Sequence, residues 1–259
     1  MFFGGKNSYF CKKFLMIAPY IDIHTHRASP ITTDVTPYFS YGVHPWWLHR
    51  EENVLLPNEG DTPHNPMQDL KILETLLQEN RIAAIGETGI DRFHPDTLSL
   101  QLDVFEKHIQ LSEQYQKPLI IHNVRATNEI LRLHKQHQPI QKWIIHGFNG
   151  SEEEAQQLIN RGIFLSVGES IWYQNRKISK TIKSIPLENL FLETDTSELT
   201  IQEIYQKASE RLNLPLGMLK EKIFTNFARL KLTSWKTGET AHDCSSATRA
   251  LINLGRATC

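Results

Sequence analysis

Residues 20–26 read Tyr-Ile-Asp-Ile-His-Thr-His, a short apolar run that ends in two closely spaced histidines. In an extended strand, residues two positions apart point to the same face. The imidazoles of His24 and His26 can therefore reach one ion together, while Thr25 points away. A lone His-x-His pair is weak evidence for a metal site, so its weight depends on the rest of the chain.

Short apolar runs of the same kind recur along the sequence. They predict strands at residues 20–25, 38–44, 82–87, 119–123, 143–147, 163–167 and 190–194. Strands that alternate with amphipathic stretches are typical of parallel βαβ units. We expect an α/β fold, a distorted TIM (β/α) barrel with seven clear strands and one reduced unit at residues 31–36. An open doubly wound sheet is the alternative, although no glycine-rich phosphate loop follows the first strand.

The segments between these strands carry sequence patterns that predict helices. Apolar residues recur at helical spacing over residues 98–109. Ser151 and Glu154 have the spacing of a capping box, as do Thr200 and Glu203, and each pair precedes an amphipathic stretch. The sequence therefore predicts helices that begin at both boxes.

Composition places the chain among ordinary globular enzymes. It has 259 residues, 40% hydrophobic and 22% charged, with a formal net charge of -1. No global basic field exists to hold long nucleic acid, so processive DNA binding is disfavoured. Three scattered cysteines argue against a thiolate site and fit the cytoplasm. We expect no membrane span and no obligate protein partner.

Three regions differ in pattern. Residues 16–232 carry the strand and helix signals and form the predicted hydrolase barrel. Residues 1–15 form an N-terminal extension that we place outside the core. Residues 233–259 have few apolar anchors and are expected to be a poorly packed tail.

Metal-competent side chains stand where the predicted strands end. In a βα barrel, the active site lies at the carboxyl ends of the strands. The residues are His24, His26, Glu87, His122, His146 and Asp195. Asp195 can both bind a metal and accept a proton from water, with Glu193 as the second choice. Asp91 either supports the site or caps a loop.

This donor set favours two metal ions rather than one. Six ligands exceed a four-coordinate site that keeps an open position, whereas a shared carboxylate such as Glu87 can serve two ions. Imidazoles and carboxylates without thiolates suit zinc or manganese better than magnesium, and the identity of the divalent ions (Mg, Zn or Mn) stays open.

The ordered series of motifs resembles the TatD family of metal-dependent hydrolases within the amidohydrolase superfamily, over roughly residues 17–232. The motifs include Gly42-Val-His-Pro45, Gly86-Glu-Thr-Gly-Ile-Asp91, His146-Gly-Phe-Asn-Gly150 and Leu192-Glu-Thr-Asp195. The resemblance implies a distorted barrel and a binuclear centre. His24, His26 and Asp195 would hold one metal, His122 and His146 the other, with Glu87 between them. Family members are similar to nucleases that act on DNA or RNA ends, and some relatives are assigned deacylase activity on mischarged tRNA.

Several positions depart from the family pattern. Val124 occupies the place of a usual arginine, and Arg125 can replace it as a phosphate-binding residue. Thr196 and Ser197 follow the last aspartate, where the family has a small residue and proline. His44 is a candidate substrate-binding residue that contacts a phosphate, and of the adjoining tryptophans at least one is expected to pack in the core or at the rim.

Together these features predict a two-metal deoxyribonuclease or exonuclease that cleaves phosphodiester bonds, with nucleic-acid ends or short oligonucleotides as substrate. A metal-dependent esterase, amidase or D-aminoacyl-tRNA deacylase is an alternative, because the same centre can attack a carbonyl. A non-catalytic metal-binding protein is an alternative of another class, against which the complete ligand set argues.

Overall fold

A computed structural model describes residues 18–26, 35–36, 39–48 and 65–230 of the chain. The predicted extension at residues 1–15 and the predicted tail at residues 233–259 lie outside the described residues, so the domain bounds stay a prediction.

Eight strands are present in the described residues. They are β1 (Tyr20–Ile21), β2 (Val35–Thr36), β3 (Ser40–Tyr41), β4 (Ala84–Asp91), β5 (Leu119–Val124), β6 (Trp143–Ile145), β7 (Phe164–Val167) and β8 (Leu190–Leu192). Strands β3 to β8 form a parallel sheet in sequence order, and β1 pairs in parallel with β2. The short β2 lies within the predicted reduced unit.

Backbone hydrogen bonds join the two sheets at β1 and β8. The Ile23 amide donates to the Leu192 carbonyl at 3.2 Å, and beyond it Thr25 forms a parallel bridge with Asp195. The first strand therefore lies beside the last, with the others between them in sequence order. This arrangement confirms the predicted barrel-type fold, because a doubly wound sheet would place its first strand in the interior of the strand order.

Seven helices are described around these strands. They are α1 (Pro66–Gln78), α2 (Leu98–Tyr115), α3 (Thr127–His137), α4 (Glu152–Ile159), α5 (Ile178–Thr181), α6 (Ile201–Leu212) and α7 (Leu216–Arg229). Both predicted capping boxes are confirmed, Ser151 with Glu154 at α4 and Thr200 with Glu203 at α6. Each box satisfies amides that the first helical turn leaves without partners.

The core lies between the sheet and its helices. Strands β4, β6, β7 and β8 are buried along their whole length. Their largest fully buried side chains include Trp143, Phe164 and Phe191. Burying each such side chain stabilises the fold by about 1.5–3 kcal/mol, so the barrel is a firm support for groups at its rim.

The prediction that β4 ends at residue 87 is wrong. The strand continues to Asp91 and pairs with β5, with a register shift between Ile85 and Thr88. A Cβ on Gly89, where φ is +144°, would lie 2.1 Å from the carbonyl oxygen of His122. Glycine is needed there because β4 and β5 approach closely. Because β4 continues to Asp91, Glu87 lies within the strand and not at its end.

Candidate metal centre

The carboxylate of Glu87 is the point on which the predicted ligands converge. Its Oε2 atom lies 3.2 Å from His24 Nε2 and 3.3 Å from His26 Nε2. Its Oε1 atom lies 2.6 Å from His122 Nδ1 and 2.5 Å from His146 Nε2. Oε2 thus faces two imidazoles and Oε1 faces three, because His44 Nε2 also lies 3.1 Å from Oε1. The Glu87 side chain is buried.

Asp195 completes the group on the first side. Its Oδ1 atom lies 3.5 Å from His26 Nε2 and 3.8 Å from His24 Nε2. The residue follows β8 with a left-handed φ of 52°, and its amide donates to the His24 carbonyl at 3.0 Å. Its side chain keeps 34% exposure, so this carboxylate is open to solvent as well as to the imidazoles.

The arrangement fits divalent metal ions. Three groups of side chains bring ligand atoms within 4.8 Å of one another: His24, His146 and Asp195; His24, His26 and Glu87; His44, Glu87 and His122. Within the described residues, both ring nitrogens of the buried His24 lack a hydrogen-bond partner. A buried polar atom without a partner is costly, and a bound metal ion would satisfy such a nitrogen.

The electrostatics of the cluster also favour bound cations. Burial alone would raise the pKa of the Glu87 carboxyl, but the imidazoles of His146, His122 and His24 hold this pKa well below its usual range. Burial, and then the charge of Glu193, raises the pKa of Asp195. A cation beside either carboxylate would favour its charged form.

Carboxylates also lie on the far side of two of these rings. His122 Nε2 lies 3.1 Å from Asp91 Oδ2, and its Nδ1 lies 2.6 Å from Glu87 Oε1. If His122 donates its hydrogen to Asp91, its Nδ1 would be available to a metal ion, as in other metal-binding histidines backed by a carboxylate. His146 Nε2 faces Glu87, and its Nδ1 lies 3.7 Å from Glu193 Oε1, beyond hydrogen-bond distance.

His44 differs from these histidines in its hydrogen-bond direction. Its Nδ1 accepts the backbone amide of Trp46 at 3.1 Å, so in the neutral ring Nε2 carries the hydrogen. That Nε2 lies 3.1 Å from Glu87 Oε1. Burial lowers the pKa of His44, with Glu87 opposing, which favours the neutral ring. With this tautomer, His44 faces the cluster as a hydrogen-bond donor.

Two carboxylates have positions that sequence reasoning assigned only loosely. Asp91 both supports the site and caps a loop. Its Oδ2 accepts from His122 and Trp46, and its Oδ1 accepts the Phe93 amide at 2.8 Å. Glu193 is fully buried, and its Oε1 accepts the Gly147 amide at 2.5 Å. Its burial behind His146 makes it a positioning group, so Asp195 is the carboxylate left open to a substrate.

The contact that the structure shows for the Arg125 side chain is with Phe93, two residues after Asp91. Arg125 directly follows β5 with a left-handed φ of 54°, and its guanidinium carbon lies 4.2 Å over the ring of Phe93. Of the two tryptophans after His44, Trp47 packs partly buried against the core, while Trp46 is 43% exposed.

Imidazoles and carboxylates gathered on one shared glutamate in a parallel barrel are the kind of site that metal-dependent barrel hydrolases use. A family model described as TatD related DNase matches residues 21–231. The chain therefore belongs to the TatD related DNase family, as the sequence motifs predicted.

Individual relatives agree with this assignment. An uncharacterized metal-dependent hydrolase of Buchnera aphidicola is 31% identical over 168 residues, which are 64% of this chain and 61% of that protein. The metal-dependent hydrolase YabD of Bacillus subtilis is 33% identical over 172 residues, 63% of this chain and 67% of its own. The chain spans about three fifths of the length of the first curated relatives it matches.

Solved structures share the fold. YjjV, a TatD homolog from Escherichia coli K12, superposes with a TM-score of 0.64 at 22% identity and covers 77% of each chain. A TatD family hydrolase from Entamoeba histolytica has a TM-score of 0.53 at 22% identity and covers 62% of this chain and 67% of its own. Among the described helices of this chain, none is both long and apolar enough to cross a membrane.

Proposed function

We propose that this protein hydrolyses phosphodiester bonds at nucleic-acid ends or in short oligonucleotides, with two divalent metal ions. The observation that carries the proposal is the position of the Glu87 carboxylate, whose two oxygens face different imidazoles: Oε2 faces His24 and His26, and Oε1 faces His122, His146 and His44. A carboxylate that can bridge two ions is characteristic of two-metal hydrolytic centres. Membership in a family described as DNases supports a phosphodiester as the bond cleaved.

The residues divide into two ligand sets around this shared carboxylate. His24, His26 and Asp195 would hold one ion, and His122 and His146 the other. Bound divalent ions would offset charge on the phosphoryl group and make water nucleophilic at neutral pH. The imidazole content favours zinc or manganese over magnesium.

Asp195 is the residue we propose as the catalytic base. It is the partly exposed carboxylate of the cluster, whereas the side chains of Glu87 and Glu193 are buried. From this position it can accept the proton of the attacking water. His44 would donate its Nε2 hydrogen to a phosphate oxygen, and Arg125 would contact a flanking phosphate.

The balance of charge limits the substrate to short or frayed ends. A chain with a net charge of -1 lacks the broad basic surface that long duplex DNA requires. We also propose a cytoplasmic location, supported by the low count of three cysteines.

The test pairs metal content with activity. The protein is purified without chelator, bound metals are counted per chain, and cleavage of short single-stranded DNA is followed with and without added Zn²⁺, Mn²⁺ or Mg²⁺. About two metals per chain and metal-dependent release of mononucleotides are expected. Asp195→Asn should abolish turnover and leave the fold intact, while Asp103→Asn on the exposed face of α2 serves as the matched control.

Other outcomes redirect or overturn the proposal. Bound metal without nuclease activity, together with cleavage of an ester, amide or D-aminoacyl-tRNA, would move the substrate to a carbonyl compound. Full activity in Asp195→Asn would remove the assigned base. No metal under any loading condition would leave a protein without the proposed chemistry.

A further inference from the structure

Trp46 lies next to the imidazoles of the metal centre, and a second exposed aromatic residue, Phe93, is joined through its backbone amide to Asp91 and carries a cation over its ring. Trp46 is 43% exposed and Phe93 is 61% exposed, although both are large apolar side chains on a folded domain. Arg125 lies over the Phe93 ring. We call Trp46, Phe93 and Arg125 the aromatic shelf.

The shelf is fixed in place rather than left loose. Asp91 holds two of its members, with Oδ2 accepting the Trp46 indole hydrogen at 2.7 Å and Oδ1 accepting the Phe93 backbone amide at 2.8 Å. The same Oδ2 lies 3.1 Å from His122. One buried carboxylate thus ties the shelf to a ligand of the centre.

Trp46 is the member closest to the chemistry. Its ring centroid lies 5.0 Å from that of His44 and 5.9 Å from that of His122, both in edge-to-face arrangements. The His94 ring lies 6.2 Å away in a tilted arrangement, and Trp46 still keeps 43% exposure, which leaves indole surface available to a planar group. Stacking of a nucleobase on such a ring tolerates any sequence, because every base has a π-face.

Arg125 supplies the charge that a phosphate needs. Its guanidinium has no carboxylate partner within the described part of the chain, whereas the neighbouring Arg92 is paired with Glu129. Arg125 also adopts a left-handed backbone conformation that disfavours side-chain-bearing residues. Strain of this kind concentrates at functional sites, and here it accompanies a guanidinium stacked on Phe93.

We infer that the aromatic shelf binds one unpaired nucleotide next to the scissile phosphate, with its base stacked on Trp46 and its phosphate paired with Arg125. The inference rests on the proposed function, since it names how that substrate is held. A base still stacked inside a duplex cannot offer its face to Trp46, so the site selects splayed or single-stranded ends.

The experiment measures binding apart from turnover. The metal-loaded full-length protein is titrated, by fluorescence anisotropy, into a hydrolysis-resistant phosphorothioate oligonucleotide and into the same strand with an abasic terminal nucleotide. Trp46→Ala should weaken binding of the intact strand roughly 5- to 100-fold and barely change binding of the abasic strand. Trp46→Phe should retain most of the affinity because it keeps a ring for stacking, although it loses the hydrogen bond to Asp91. Phe224→Ala, an exposed phenylalanine on α7, is the matched control.

Arg125 is tested through salt dependence. Arg125→Gln should reduce the slope of log affinity against log salt by about 0.7, the value for one phosphate contact with a single strand. Equal effects of Trp46→Ala on intact and abasic strands would overturn the stacking role, and an unchanged salt slope would overturn the role of Arg125. Cleavage of an ordinary oligonucleotide is measured separately, so a protein that binds through Trp46 but cleaves nothing would refute the proposed function and leave the shelf standing.

Discussion

The buried imidazole of His108 should make the stability of the fold depend on pH. His108 lies on α2 with no exposed surface, where its Nε2 accepts the Val43 amide at 3.0 Å and its Nδ1 lies 2.7 Å from the Val104 carbonyl. Protonation would turn the Nε2 acceptor into a donor facing another donor. The bond to Val43 holds the backbone next to His44, so its loss would loosen one wall of the metal centre.

The size of the effect follows from the pKa. Burial lowers the pKa of His108 from 6.5 to about 4. Between these values the unfolded chain binds a proton that the folded chain does not, so the free energy of unfolding falls as pH falls and levels off below pH 4. Between pH ~7.5 and ~4.5 the contribution lost is about 2.5 kcal/mol, from ~1.36 kcal/mol per pKa unit.

A comparison with His108→Gln isolates this contribution. Urea unfolding is measured at several pH values with chelator present, so that metal-linked protons do not enter. The variant is expected to be less stable at neutral pH, and the gap to the natural protein should narrow by about 2.5 kcal/mol at pH ~4.5. Asp22, whose pKa burial raises to about 7, acts in the opposite sense, because its contribution is lost as pH rises. Its effect is common to both proteins and cancels. Parallel pH profiles for the two proteins would refute the reasoning.

Three further outcomes are expected at and around the centre. Asp91→Asn removes the charge behind His122 and should lower metal affinity about 10- to 100-fold in competition with a chromogenic chelator; unchanged affinity would contradict the orienting role. Gly89→Ala should destabilise the fold by roughly 2–6 kcal/mol in urea unfolding, because the new Cβ would lie 2.1 Å from the His122 carbonyl oxygen at a φ of +144°. Metal at about 100 times its Kd should raise the free energy of unfolding by about 2.7 kcal/mol for each ion, hence about 5.4 kcal/mol for two, and Glu87→Gln should lose most of this gain. An equal gain in both proteins would remove Glu87 from the ligand set.

The sequence predicted the fold well because its strongest signals are local. Apolar runs and capping boxes depend on neighbouring residues, and they place the strands and two of the helices. Strand ends in a parallel barrel share one rim, which is why the ionisable residues predicted there lie together around Glu87, although Glu87 itself lies inside β4.

The failures have a different physical origin. Gly86 and Gly89 look like a turn in the sequence, whereas the contacts that require glycine are made with Ile120 and His122 on the next strand. His108 belongs to no recognisable motif. It lies three residues after Phe105 and beside Ile109, on the buried face of α2. Periodicity could have found His108, but no local pattern could have found the close approach of β4 to β5.

The roles of the histidines depend on partners that no motif reveals. Asp91 can take the hydrogen of the His122 nitrogen that points away from the cluster, which would leave the other nitrogen to a metal ion. His44 is turned into a donor by the backbone amide of Trp46, which occupies its lone pair. Since Asp91 also holds the Trp46 indole, ligand geometry and the aromatic shelf share one carboxylate. A substitution at Asp91 should therefore weaken metal binding and oligonucleotide binding together, whereas Trp46→Phe should separate the stacking surface from the hydrogen bond that anchors it.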